Sequence, residues 1–346
     1  MRLEIGQIPE VVERVVASSP GELRPVVEAI RAHQPRWVMI AGRGTSDHAA
    51  VYAQYLVETY LGLPTGLVKP SVSSVYGATM AWDTGLLVAI SQSGQSPDIV
   101  GVVRAARSAG ALTVAITNEH PSPLGAAAHW HLGCHAGHEV AIPATKTYVA
   151  ALAVVASLVG AIGPDLELTE GLAELPSVLR SAEELTDEWL VGGGGRAAVR
   201  AIATADRALL VSRGYNLATA LELALKLKET CGLFAEAYST ADFAHGPVVL
   251  AQPTVQTIGI RPDGNMGALV DETLAAVAAR GGRATVIGGA GVASIPGALS
   301  IPTPLPEALT PLPFVVAGHL LVEVAARERG LDPDAPIGLG KVTRTR

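Results

Sequence analysis

The chain has 346 residues, of which 49% are apolar, two cysteines and a formal net charge of −7; that is enough for two domains with sizeable cores, and the scattered Lys and Arg form no basic stripe of the kind nucleic acid requires. Cys134 and Cys231 are too few for a disulfide framework and too far apart for a C-x-x-C zinc motif. The acidic start, with Glu4, Glu10 and Glu13, carries neither a signal-peptide pattern nor a membrane span, so the expected setting is cytoplasmic with no membrane partner.

The first strong element is the apolar run 37–41, a predicted strand, which leads into Gly42-Arg43-Gly44-Thr45-Ser46 and a predicted helix over 47–60. A second strand over 86–90 runs into Ser91-Gln92-Ser93-Gly94-Gln95-Ser96. This turn places hydroxyls, an amide and a flexible glycine at the start of a helix, where unpaired backbone N–H groups and the macrodipole favour an anion without any lysine. An ordinary Ser-capped turn has the same local pattern. The two turns together point further: in an open parallel sheet both would face the crevice at the carboxyl ends of the strands, so Thr45, Ser46 and Ser91 could converge on one phosphate. The pattern is neither a P-loop nor a dinucleotide fingerprint, since G-x-x-x-x-G-K-[ST] is missing and Asp47 stands where a third glycine would.

Further along, the chain repeats itself. Arg43-Gly44 after the first strand recurs as Arg213-Gly214, an offset of 170, and 108–117 resembles 279–288. A duplicated α/β lobe accounts for this, with the glycine run 192–195 as the natural linker between copies. Alternating βα units predict two tandem doubly wound, flavodoxin-like parallel sheets in three αβα layers, over 1–191 and 192–330, with a tail over 331–346. The second copy has lost the hydroxyl-rich loop, its strand over 255–260 running into Arg261-Pro262-Asp263-Gly264, which places phosphate binding in the first lobe alone.

Three other segments carry candidate chemistry. Glu222, Lys226 and Glu229 share one helix face by i,i+4 and i,i+3 spacing, which suits a solvated ion-paired face or an active site. His245-Gly246-Pro247 presents a loop histidine, the usual proton carrier near neutral pH. The end of the chain, from Gly338 through Gly340 and Lys341 to the basic 342–346, reads either as a frayed tail or as one folded into a site behind a helix over 315–329. His131, Cys134, His135 and His138 cluster in sequence, but no metal is expected there, because they sit just before and within a segment read differently below.

Gly44-Thr45-Ser46, Ser91 to Ser96, 137–146, 224–229, 235–238, His245-Gly246-Pro247 and Leu339-Gly340-Lys341 occur in an order that resembles the double sugar-isomerase (SIS) module of glucosamine-6-phosphate synthase and its relatives that deaminate glucosamine-6-phosphate. The likeness spans about Trp37 to Lys341. It implies that Thr45, Ser46, Ser91, Gln92, Ser93, Ser96 and Ile142 bind a phosphorylated sugar. It implies that Glu229 shuttles a proton between C1 and C2, that Lys226 assists, and that Lys341 forms a Schiff base with the ketose. It implies that His245 opens the ring in the neighbouring subunit's site, so the partners are a phosphorylated amino sugar and a second copy of the chain, and no cofactor is needed.

The sequence departs from that family at Ala144, where a serine is common before Thr-Lys, and at Ile337-Gly338, where the synthases commonly carry arginine and asparagine. No cysteine stands near Met1, as a glutaminase domain would require. The expected reaction is therefore deamination and isomerisation of glucosamine-6-phosphate to fructose-6-phosphate and ammonia. The alternatives are another amino-sugar-phosphate deaminase or isomerase, a phosphorylated fructosamine deglycase, and a non-catalytic phosphosugar-binding regulator.

Overall fold

A computed structural model describes residues 1–341; the basic end, 342–346, lies outside the described residues. Ten strands there form two five-stranded sheets. The first comprises β1 (Trp37–Ala41), β2 (Thr65–Leu67), β3 (Gly85–Ser91), β4 (Leu112–Thr117) and β5 (Trp130–Gly133) in the order β2-β1-β3-β4-β5. The second comprises β6 (Arg207–Ser212), β7 (Phe234–Ser239), β8 (Gln256–Arg261), β9 (Arg283–Gly288) and β10 (Leu299–Ser300) in the order β10-β9-β8-β6-β7, the same topology read from the other edge. Every pairing is parallel. The two-fold duplication and the flavodoxin-like order expected from the sequence are both present.

The helices that flank the sheets and matter here are α1 (Ile8–His33), α2 (Thr45–Leu56), α3 (Pro97–Ser108), α4 (Lys146–Ile162), α5 (Leu166–Val191), α6 (Gly193–Thr204), α7 (Leu217–Cys231), α8 (Asn265–Ala279) and α9 (Pro311–Glu328). Burial on both faces explains the composition of the strands: all seven residues of β3 are buried, which demands an unbroken apolar run instead of alternation. Helix α4 is apolar around its whole circumference and is buried from Lys146 to Gly160. The stretch ending in α9 is long and apolar enough to cross a membrane by composition, but 94% of its most apolar part is buried inside the fold, as a core helix is.

Contacts divide the chain into two compact units, each described by itself. One holds Glu10–Glu139, Lys146–Ala173 and the tail from Gly340, with the first sheet. The other holds Met1–Pro9, Val140–Thr145 and Glu174–Leu339, with the second sheet.

Three local expectations are revised. The helix predicted over 47–60 starts earlier and changes character, with α2 followed by a π-helical turn, Val57–Leu61, that stops at Gly62 with φ +63°. The helix predicted over 315–329 begins at Pro311, whose missing N–H costs nothing at a first helical position. The glycine run 192–195 is no open linker: Gly192 caps α6, and Gly193 to Gly195 form its first turn. Small residues are needed for packing there, since a Cβ on Gly195 would lie 2.2 Å from the Trp189 carbonyl oxygen and one on Gly194 2.7 Å from that of Gly297.

The same close approach governs α7 against α9. A Cβ on Gly318 of α9 would lie 2.3 Å from Leu223 Cδ1, and Leu223 is buried. Gly→Ala inside a helix ordinarily gains up to about 1 kcal/mol. Gly318→Ala should instead destabilise the protein by about 1–3 kcal/mol through overpacking, read from the urea midpoint; a higher midpoint would mean that α7 and α9 are not in this contact.

Candidate functional site

In the first unit, β1 and β3 are neighbours in register, Trp37 opposite Gly85 and Ala41 opposite Ala89, so the turns that follow them leave the same sheet edge side by side. The order β2-β1-β3 makes this the topological switch point, where the helices after the two strands depart on opposite faces and leave a crevice. Thr45 and Ser46, half-buried, open α2 behind Gly44, whose φ of +54° needs glycine. The turn is tight, for a Cβ on Gly42 would meet the Ser46 carbonyl oxygen at 2.4 Å.

Ser91 ends β3 and is buried, while Gln92, Ser93 and Ser96 are half-buried. The loop is braced from within: Gly94 N–H donates to Ser91 Oγ at 3.1 Å and Gln95 N–H to Ser93 Oγ at 3.3 Å. As acceptors in these bonds, both hydroxyls keep their own O–H to give away. It is also held from behind. Asn118 N–H and Glu119 N–H donate to the Gln92 carbonyl at 3.0 and 3.3 Å, and Leu124 N–H donates to that of Gly94 at 3.0 Å. In a trans peptide the N–H opposes the C=O, so tying the Gln92 carbonyl back turns the Ser93 N–H outward. The outcome is a backbone nest, a shape suited to an anion, at the N-terminus of α3, with Ser96 in the N-cap position and its side chain making no capping hydrogen bond. Gly94 is required twice, by its φ of +61° and because a Cβ would lie 2.6 Å from Ser122 Oγ.

The corresponding turn of the second sheet differs. After β8, Asp263 receives the N–H groups of Ala290 and Gly291 at 3.0 and 2.9 Å, and Arg261 pairs with Asp271 at 2.8 Å. An internal carboxylate occupies that turn, where the first sheet presents hydroxyls.

Also in the first unit, Lys341 Nζ donates to Glu139 Oε2 at 2.8 Å. Glu139 is buried and further receives Thr147 Oγ1–H at 2.7 Å and Thr147 N–H at 3.2 Å, so the tail lysine is held by a carboxylate fixed in its own right. Lys146, buried, donates to the His138 carbonyl at 2.6 Å. Of the sequence cluster around it, His131 Nε2 meets Thr117 Oγ1 at 2.8 Å and His135 Nε2 meets Glu22 at 2.8 Å. Burial, with Glu139 nearby, pushes the Cys134 thiol up to about 12. Burial and the stacked His120 ring hold His131 below the usual imidazole value.

In the second unit, α7 carries the three ionisable side chains expected to share one face. Lys226 is fully buried, with Nζ 2.5 Å from Glu229 Oε2 and 3.3 Å from Glu222 Oε1. His319 of α9 stands behind, its Nε2 3.7 Å from Glu222 Oε1. Glu222 and His319 are fully buried, whereas the Glu229 side chain is 22% exposed. The spacing alone allowed a solvated face, and the burial excludes it. Burial by itself would lower the Lys226 pKa, but the two carboxylates outweigh it and raise it, so Lys226 stays an ammonium and Glu229 is the outward end of the set. His245 follows the short helix Thr240–Ala244 on an exposed loop whose Gly246 has φ +146°. Ile142 is half-buried and donates its N–H to the Asp334 carbonyl at 2.9 Å. Sequence reasoning missed Glu139 and His319, the second of which was signalled by a lone histidine within the apolar run 311–322.

The SIS domain model matches residues 33–161. The glutamine–fructose-6-phosphate aminotransferase of Methanothermobacter thermautotrophicus is 33% identical over 345 residues, covering 99% of this chain and 56% of that one. The chain thus spans about half the length of the curated relatives it matches. A solved structure from Silicibacter pomeroyi, described as a candidate phosphosugar isomerase, is 36% identical with a TM-score of 0.86, covering 96% of this chain and 99% of that one. A glucosamine-6-phosphate deaminase from Thermotoga maritima shares the fold, at 20% identity and a TM-score of 0.73 over 97% of this chain and all of that one (100%).

The buried ammonium makes a stability prediction. Lys226→Met takes away the ammonium that faces the buried Glu222, so it should cost about 3–5 kcal/mol in denaturant unfolding. Folding raises this pKa above the ordinary 10.5, so the stabilisation is present below that value and lost as pH rises through the folded one. The deficit should therefore be constant from about pH 6 to 9 and shrink only in strong alkali; a deficit that varies across the neutral range would mean that another group titrates with the cluster.

Proposed function

The chain belongs to the SIS domain family, and from that premise we propose that it deaminates and isomerises glucosamine-6-phosphate, giving fructose-6-phosphate and ammonia. The observation that carries the reading is the buried Lys226 clamping a partly exposed Glu229 carboxylate, which is how a base is held oriented and reachable. The Ser91–Ser96 nest, with Thr45 and Ser46, binds the phosphate through hydroxyl and backbone donors. His245 moves the proton that opens the sugar ring, and its outward position suits service to a second copy of the chain, so the working unit is a homodimer.

In the open form, Glu229 takes the proton from one of C1 and C2 and returns it to the other, while the electron pair moves through the enamine between them. Water then adds to the resulting imine carbon and ammonia leaves. Lys226 remains cationic throughout and steadies the charge on Glu229. Lys341 is the amine for a Schiff base with the ketose: it must leave Glu139, and that carboxylate accepts the proton it sheds. Burial raises the thiols of both Cys134 and Cys231, so neither takes part in this reading as a nucleophile.

Glu229→Gln should lower ammonia release from glucosamine-6-phosphate by about 100-fold or more, with fructose-6-phosphate affinity kept. Turnover within a few-fold of the unmodified protein would leave Glu229 as a helix charge. A panel of phosphorylated amino sugars and fructosamines, scored for ammonia, checks the substrate: strong preference for another member would replace glucosamine-6-phosphate with that sugar.

The tail is tested by trapping. Borohydride added with fructose-6-phosphate should fix the sugar on Lys341, located by peptide mapping. An adduct on a different lysine, or full activity in Lys341→Met, removes the Schiff-base role from the tail.

A further inference from the structure

The two turns of the first unit are joined by a contact that the phosphate-binding reading leaves unused. Asp98 is the second residue of α3, directly behind the Ser91–Ser96 nest, and its carboxylate is fully buried. Such a position satisfies the helix dipole but sets a buried negative charge where a phosphate dianion must come. The Asp98 Oδ1 also takes the Ile99 N–H, at 2.9 Å, one of the donors at that helix end. Left alone, this carboxylate would repel the ligand.

It is not left alone. Arg43, from the turn after β1, donates Nε–H and Nη2–H to Asp98 Oδ2 at 2.9 and 2.7 Å. The Arg43 side chain is 46% exposed. The pair therefore spans the switch point, linking the turn that carries Thr45 and Ser46 to the helix that carries the nest. Packing alone does not account for it, because an exposed arginine adds little to a core.

We propose that Arg43 is a positioning and specificity-determining residue: by neutralising Asp98 and holding the two hydroxyl-bearing turns in register, it makes the nest accept a doubly charged phosphate. The proposal rests on the phosphosugar reading of the loop. It adds that affinity depends on the charge balance of a pair that does not itself need to touch the ligand.

The test is a double-mutant cycle, with fructose-6-phosphate affinity read by calorimetry at fixed pH and salt. Arg43→Gln should weaken binding by about 30-fold or more, since it leaves a buried charge unpaired. Asp98→Asn should change it by less than about fivefold, and Arg43→Gln with Asp98→Asn should return to within about tenfold of the unmodified protein. Arg43→Lys, which keeps the charge, should stay within about tenfold and serves where Arg43→Gln does not fold. Arg43→Gln binding like the unmodified protein overturns the proposal, and so does a double variant as weak as Arg43→Gln, because Arg43 would then act on the ligand directly. If Arg43→Gln does not fold, Arg43→Lys weaker by 30-fold or more overturns it. A failure of the unmodified protein to bind fructose-6-phosphate is a different result, which removes the phosphosugar reading itself.

Discussion

Everything at the first sheet follows from strand direction. Parallel pairing puts the carboxyl ends of β1 and β3 on one edge, and the order β2-β1-β3-β4-β5 sends their helices to opposite faces. A crevice opens at that point whatever the side chains are, and the sequence needs only to supply donors there. It supplies them on two short turns, each shaped by a glycine at positive φ, Gly44 and Gly94. The second sheet has the same strand order, but the turn after its β8 carries a carboxylate, Asp263, that is bonded to the backbone of the turn after β9.

Carboxylates paired with a cation recur at three of the candidate positions, and all but Glu229 are buried. Asp98 has Arg43, Glu139 has Lys341, and Glu222 and Glu229 share Lys226. Desolvated charge is costly unless paired, so these pairs are weak arguments for stability and stronger ones for function. Their exposures differ in a useful way. Lys226 is sealed and stays protonated, while Lys341 is a quarter exposed (25%). Of the two, Lys341 is the one that solvent reaches.

The fold was legible because duplication is a long-range pattern: an offset repeat and apolar runs bounded by Gly and Ser are visible without knowing any contact. The serine nest was legible because its chemistry is local, with strand, turn and helix start lying within a dozen residues. The burial of Glu222, Lys226 and Glu229 was not, since i,i+4 spacing describes a salted surface equally well and only α9 packing on α7 decides it. The partner of Lys341 was hidden for a plainer reason, being 202 positions away in the chain. The glycine run 192–195 misled because glycine signals freedom in a sequence, whereas here it permits the close approach of Trp189 and Gly297 to a helix start.

Asp263 has a consequence for how the second sheet is held together. Its carboxylate is spent on the backbone N–H groups of Ala290 and Gly291, so the turn after β8 is tied to the turn after β9. A bond between two parts of one chain does not depend on the concentration of any solute. The two sheets, alike in topology, thus differ at corresponding turns: one stitches itself to its neighbour, and the other keeps its hydroxyl hydrogens to donate.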